Sequence, residues 1–209
     1  MTEWTQRAHV LADHAVSGVL GHVSSLHFDT MSELLWVGSA SGQLTSHTGA
    51  LPTLPRYTSL AAHGVPKQPR HVRGILSDDK FIISLSEGRV CASQRQGLGR
   101  WSMQIEDHAP GVALAGLCAS PQSASSDIIV GGAAPNSHDA LFALHSISGR
   151  VVRSAVSDGT VTQLRKGNRY LCVGTEEGTI QLHDPRSLRA EHKLPAHHGG
   201  LIDLQTDGH

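Results

Sequence analysis

A unit of roughly 45 residues recurs about four times along this chain, and each copy carries a tight turn followed by a short run of mixed polar and apolar residues. Ser39-Ala40-Ser41-Gly42 leads into Gln43-Leu44-Thr45-Ser46, and Ser86-Glu87-Gly88 into Arg89-Val90-Cys91-Ala92. Thr175-Glu176-Glu177-Gly178 leads into Thr179-Ile180-Gln181-Leu182. Gly42 and Gly88 stand 46 positions apart and Gly88 and Gly178 stand 90 apart, which leaves room for one more copy around Asn136 to Leu144. A unit of this length holds four short strands, cannot bury its apolar faces alone, and must stack on its neighbours.

The runs between turns divide into strands. The first unit begins at Val23 and reads Ser24–Phe28, Glu33–Val37, Gly42–Ser46 and Arg56–Leu60. The second reads Val72–Leu76, Phe81–Leu85, Arg89–Ser93 and Arg100–Ile105. The third reads Val112–Ala119, Asp127–Gly131, Ala140–His145 and Val151–Val156. The fourth reads Thr160–Leu164, Tyr170–Gly174, Thr179–His183 and Leu188–Leu194. Leu201–Leu204 is expected to open a fifth. No stretch sustains helical periodicity, so the expected fold is all-β, a β-propeller of the WD40 kind, incomplete at about four blades plus one strand. The expected blades cover about 22–63, 71–107, 111–158 and 159–197, with 200–209 starting the fifth and 1–21 forming an N-terminal segment. The loops Ser120–Ser126 and Ala133–Asp139, rich in Ser, Ala and Pro, are expected to be mobile.

Seven blades at this period need about 300 residues, and 209 supply four and a fraction. Two apolar blade faces are then expected to be bare, which points to a fragment, a truncated gene model, or an assembly that completes the ring.

Charge and cysteine content narrow the function classes. Seventeen Lys and Arg against eighteen Asp and Glu leave a formal net charge of −1, so no global field draws the chain to nucleic acid or membrane. Asp13 and His14 break the opening segment, which reads as neither signal peptide nor membrane span. Cys91, Cys118 and Cys172 lack metal-ligand spacing and read as reduced core thiols of a cytosolic or nuclear protein.

Fifteen histidines invite a metal or catalytic reading. The densest group is His192, His197 and His198 with Asp203, yet no pair has zinc-site spacing, and no metal site is expected. His22, His63 and His197 each fall between an outer strand and the next inner strand. In WD40 repeats a histidine there fixes a turn, so these three read as structural. The usual turn Asp is replaced by Ser41, Glu87 and Glu177, so the buried hydrogen-bonded set is expected to be mostly lost. Asp78-Asp79 reads as a hairpin turn rather than an acid–base pair, and neither a nucleophile elbow nor a phosphate loop is present. No catalytic residue is expected. Basic segments remain as candidate contacts for partner or phosphate: Lys67, Arg70 and Arg73; Arg165, Lys166 and Arg169; and Arg186 with Arg189. Without interleaved aromatics, solvated loops are the plainer reading.

Two stretches are more specific than a repeat pattern. One runs Ser25-Leu26-His27-Phe28-Asp29, then Glu33-Leu34-Leu35-Trp36-Val37-Gly38, then Gly42 with Thr45-Ser46, then Arg56-Tyr57-Thr58-Ser59. The other is His183-Asp184-Pro185-Arg186-Ser187-Leu188-Arg189-Ala190-Glu191-His192, followed by Ala196-His197 and Gly199-Gly200-Leu201-Ile202-Asp203-Leu204. Both resemble the amino-terminal WD40 domain of the catalytic subunit of the PAN poly(A)-nuclease deadenylation complex. The resemblance implies a seven-bladed propeller continued by a linker for a pseudokinase-type regulatory subunit, a dead ubiquitin-hydrolase-like domain, and a metal-dependent 3′–5′ exonuclease. None of the four nuclease carboxylates has a counterpart here, so any divalent metal belongs to the nuclease domain and this chain is expected to need no cofactor.

The expected role is a non-catalytic platform in mRNA poly(A) tail shortening that binds protein, and RNA as a further option. The implied partners are the regulatory subunit, poly(A)-binding protein and poly(A) ribonucleoprotein, in the cytoplasm and its P-bodies. Self-association through open blade faces is a further expectation. The rivals are a WD40 scaffold in an unrelated assembly and a metal-dependent propeller enzyme such as a lactonase, which metal content of the purified protein would separate.

Overall fold

A computed structural model describes residues 22–48, 56–63, 70–119, 127–134, 140–201 and 203–206. The segment 1–21, Lys67 and the loop residues 120–126 and 135–139 lie outside the described residues. Sixteen strands among the described residues form four separate four-stranded antiparallel sheets, each a simple meander. The first holds β1 (Val23–Asp29), β2 (Leu34–Ser39), β3 (Gln43–Thr48) and β4 (Arg56–Ala61), and the second β5 (Gly74–Ser77), β6 (Phe81–Ser86), β7 (Arg89–Gln94) and β8 (Gly99–Gln104). The third holds β9 (Ala113–Ala119), β10 (Asp127–Ala133), β11 (Leu141–His145) and β12 (Val151–Ala155). The fourth holds β13 (Val161–Lys166), β14 (Leu171–Thr175), β15 (Thr179–His183) and β16 (Ala190–Pro195). The fold is an open WD40-like propeller.

The core lies between sheets rather than inside any one of them. Side chains alternate across a strand, so β6 sends Ile82 toward the first sheet, where it meets Leu34, Trp36 and Leu44. The same strand sends Phe81, Ile83 and Leu85 to the third sheet, against Leu114, Ile128, Val130 and Phe142. Every residue of β6 is buried, as a strand covered on both faces requires. A third layer joins Ile129, Leu141 and Ala143 to Val161, Leu164, Leu171, Val173 and Leu188 of the fourth sheet. The inner strands β1, β5, β9 and β13 follow one another around the axis, and their side chains line one central cavity. A Cβ on Gly132 would approach Leu114 Cα at 2.6 Å, so the bulge where β10 meets β9 needs glycine.

Among the described residues the two end sheets each present a face with no neighbouring sheet. On β1, Leu26 and Phe28 are more than half exposed, at 59% and 56%. On the fourth sheet, Cys172, Ile180 and Leu182 are half-buried and Leu194 is exposed.

Two expectations need correction. No strand forms among the described residues of 201–206. Leu201 is nonetheless buried there, its N–H donating to Thr175 O (3.1 Å) and its carbonyl accepting from Thr162 Oγ1 (2.7 Å). That segment lies beside β13, and no strand pairs with it among the described residues. Leu188, expected to begin a strand, instead sits in a turn at φ 57°. Asp184 organises that turn by accepting from the Arg186 and Ser187 backbone N–H groups, and β16 starts only at Ala190.

Candidate interaction surfaces

Successive hairpin connections alternate between the two rims of the disc. Among the described connections, those after β2, β6, β8, β12 and β14, with Arg70–Arg73 after β4, lie on one rim, and those after β1, β5, β7, β11, β13 and β15 on the other. This separates the basic candidates: Arg70 and Arg73 belong to the first rim, while Lys166, Arg169, Arg186 and Arg189 belong to the second. They do not form one basic patch.

On the first rim, Arg70, His71 and Arg73 line a cavity of about 580 Å³ shared with Glu87, Gly88 and Glu106. Arg73 Nη2 is 3.3 Å from Glu87 Oε2, and Arg70 lies over Gly88, where its Nη1 is 2.7 Å from any added Cβ. The central cavity, about 790 Å³, is lined by Arg73, Arg165, Lys166, His27 and Gln163 among others. Arg165 is paired with Asp203 at 3.1 Å. On the second rim, Arg169, Arg186 and Arg189 are exposed. Tyr170 meets His192 edge to face with centroids 5.9 Å apart.

The dense histidine group of the sequence is dispersed. His192 is taken up by Tyr170, His197 and His198 are exposed, and Asp203 is held by Arg165. Among the described residues no three His, Cys, Asp or Glu side chains converge as metal ligands. Asp78 Oδ1 accepts from the N–H groups of Lys80 (2.7 Å) and Phe81 (2.6 Å), the local geometry of a turn. No helix of the described residues is long and apolar enough to cross a membrane.

The three turn histidines occupy different environments. His63 is buried between the first two sheets, with Nε2 2.9 Å from Ser84 Oγ and its backbone N–H donating to Gly42 O at 3.0 Å. Burial pushes its ring down to about 4, helped by the neighbouring positive charge of Arg89. His197 makes the same backbone bond, to Gly178 O at 3.0 Å, yet its side chain is exposed. His22 is exposed and accepts from Ala40 N through its carbonyl at 2.7 Å. The hydrogen-bonded set is thus reduced but survives at His63–Ser84, without a turn carboxylate.

Two residues escaped the sequence reading. Arg95, in the β7–β8 turn, donates to the buried Asp29 carboxylate, to Ser32 Oγ (2.6 Å) and to Asp78 O, tying the first sheet to the second. Burial alone would raise the Asp29 carboxyl, but the hydrogen bonds from Arg95 and from Met31 N–H outweigh it and hold the group below the usual carboxylate range. The other is Arg89, which follows the Ser86-Glu87-Gly88 turn. Its alternation with Cys91 and Ser93 is the signal that places it on the sheet face toward His63.

The similarities to known proteins agree with this geometry. A family model described as PAN2 N-terminal matches residues 8–209. The catalytic subunit of the PAN2–PAN3 deadenylation complex from Aspergillus oryzae is 33% identical over 184 residues, covering 88% of this chain and 15% of that protein. Its namesake from Schizosaccharomyces pombe is 31% identical over 187 residues, covering 89% and 16%. The solved Neurospora crassa Pan2 WD40 domain superposes with a TM-score of 0.76 at 25% identity, covering 94% of this chain and 57% of that one. The chain therefore spans about 15% of the length of the curated relatives it matches, in their WD40 part and not in a nuclease domain. By a family match that runs over nearly all of its length, the chain belongs to the PAN2 N-terminal family.

Proposed function

We propose that this chain is the non-catalytic WD40 platform of a poly(A)-shortening deadenylation subunit, placing the complex on its substrate by binding protein, and RNA as a further option. The observation that carries the reading is the family match over residues 8–209 on an open propeller whose two rims offer wide loop surfaces. The exposed Arg169, Arg186 and Arg189 on one rim supply charge for a phosphate backbone, with Tyr170 and His192 beside the same sheet. A regulatory subunit is the first partner of this reading, because the relatives are named as parts of a PAN2–PAN3 complex. Poly(A)-binding protein is the second, and the cytoplasm is where these partners would be met. The bare faces at Leu26–Phe28 and at Ile180–Leu182 are surfaces for self-association. The reading assigns no cofactor to this chain. Pull-down of the folded 209-residue chain with regulatory subunit, poly(A)-binding protein and poly(A) RNA tests it, and failure to bind any of the three would end it.

A further inference from the structure

Between the outer strands of the first and second sheets a cleft opens away from the axis, a cavity of about 500 Å³. Leu60 and Ala62 form its wall on the side of the first sheet. Its floor is closed where Cys91 Sγ donates to Ala62 O at 3.3 Å, beside His63. Arg89 and Arg100 line the cleft, and among the described residues no carboxylate does.

Neither cation is neutralised by a carboxylate among the described residues. Among the described residues no ion pair involves Arg89 or Arg100, and Arg89 Nε is buried with no hydrogen-bond partner. The same charge faces His63, whose ring is disfavoured from protonating by burial first and by Arg89 next. A half-buried guanidinium with an unmade bond is costly. An anion from outside would satisfy it.

Shape selects the kind of anion. The strands flanking the cleft, β4 and β8, are each the last of their sheet, so each has one side of its backbone unpaired. An extended chain matches that edge, and its side chains alternate, so residues two apart, roughly 7 Å, face the same wall. We propose that this cleft binds an extended acidic peptide segment of a partner protein, which sets an apolar side chain on Leu60 and Ala62 and a carboxylate on Arg89, with Arg100 holding a second acidic group at the mouth. The site lies apart from both rims and does not depend on the role proposed for them.

Panning a displayed random heptapeptide library against the folded 209-residue chain tests the assignment. Enriched peptides are expected to carry Asp or Glu close to Leu, Ile or Val. Their affinity should fall about tenfold in Arg89→Ala and again in Arg100→Ala, as loss of a charge-assisted bond implies. Arg100 is exposed, so its removal reads charge without disturbing packing, and Leu60→Asp should abolish capture by repelling the peptide. Enriched peptides free of acidic residues, or equal capture by the Arg89→Ala/Arg100→Ala double variant, would overturn the proposal. So would oligoadenylate, tested alongside, binding through these two arginines while acidic peptides do not.

Discussion

Mild acid should destabilise the fold through a single ring, because the unfolded chain takes up a proton that His63 refuses between the first two sheets. His63 is 3% exposed and its ring is held down to about 4, against 6.5 in an unfolded chain. A group whose folded value lies below its unfolded value binds its proton more readily when the chain is unfolded. The stability it contributes is therefore complete above the unfolded value and lost as pH falls from there toward about 4. The whole difference amounts to about 3 kcal/mol, of which about 2 kcal/mol is already gone by about pH 5. For a chain of this size that is a fall in Tm of roughly 4–8 °C.

The assay is thermal or urea unfolding of wild type and His63→Gln at several pH values from about 7.5 to about 5. His27 and His183, which burial also lowers, contribute to both proteins and cancel in the difference. So do the carboxylates, which titrate mostly below this window. The difference between the two proteins should shift by about 2 kcal/mol across the range, with wild type losing more. Removing the charge in Arg89→Met should move the His63 titration upward, read by NMR of the ring. A wild-type and a His63→Gln curve that run parallel from neutral pH to about 5 would show that His63 is not held neutral between the sheets, and the burial argument would fail.

Three further outcomes follow from the packing. Asp29→Asn strips the charge that Arg95 grips at a site only 1% exposed, leaving the guanidinium short of its partner, and should cost about 3 kcal/mol in urea unfolding. Gly132→Ala drives a methyl group into the Ala113–Leu114 backbone at the β9–β10 bulge and should lower stability by about 2 kcal/mol or more, seen as a lower Tm. Glu33, exposed in the β1–β2 turn at φ 51°, is strained as a non-glycine residue there, so Glu33→Gly should raise stability by up to about 1 kcal/mol in the same measurement.

The strands were legible because their signals are local. In β6, Phe81-Ile82-Ile83 reads as a strand covered on both faces, and Ser86-Glu87-Gly88 marks the hairpin that follows. The errors arose where local pattern met a tertiary condition. Leu188 looks like a strand residue, but Asp184 captures the turn backbone first. Leu201 has the apolar character of an inner strand, and it is buried like one, yet a ladder also needs a partner strand. The turn histidines show the same division. Their positions follow from the repeat, and His63 and His197 share one backbone bond. The ring of His63 meets Ser84 in the second strand of the following sheet, whereas the rings of His22 and His197 are exposed.

The cleft at Arg89 was invisible to sequence reasoning for a related reason. In β7 the alternation Arg89, Cys91, Ser93 states that three side chains share a face, but the neighbour of that face is set by sheet-on-sheet packing between segments about thirty residues apart. Near the axis that packing is apolar, through Trp36, Leu44, Ile75 and Ile82. Toward the outer strands the sheets part, and the contact takes in hydroxyls, a thiol and two cations. Divergence of the repeats has the same consequence. A turn Asp before β7 would have placed a carboxylate near His63, and its replacement by Glu87 sends that charge to Arg73 on the rim instead. The uncompensated charge at Arg89 accompanies two features, the opening of the cleft and the pairing of Glu87 with Arg73. Glu87→Asp therefore separates them: if the shorter side chain turns toward Arg89, acidic peptides should bind more weakly while the cleft keeps its shape.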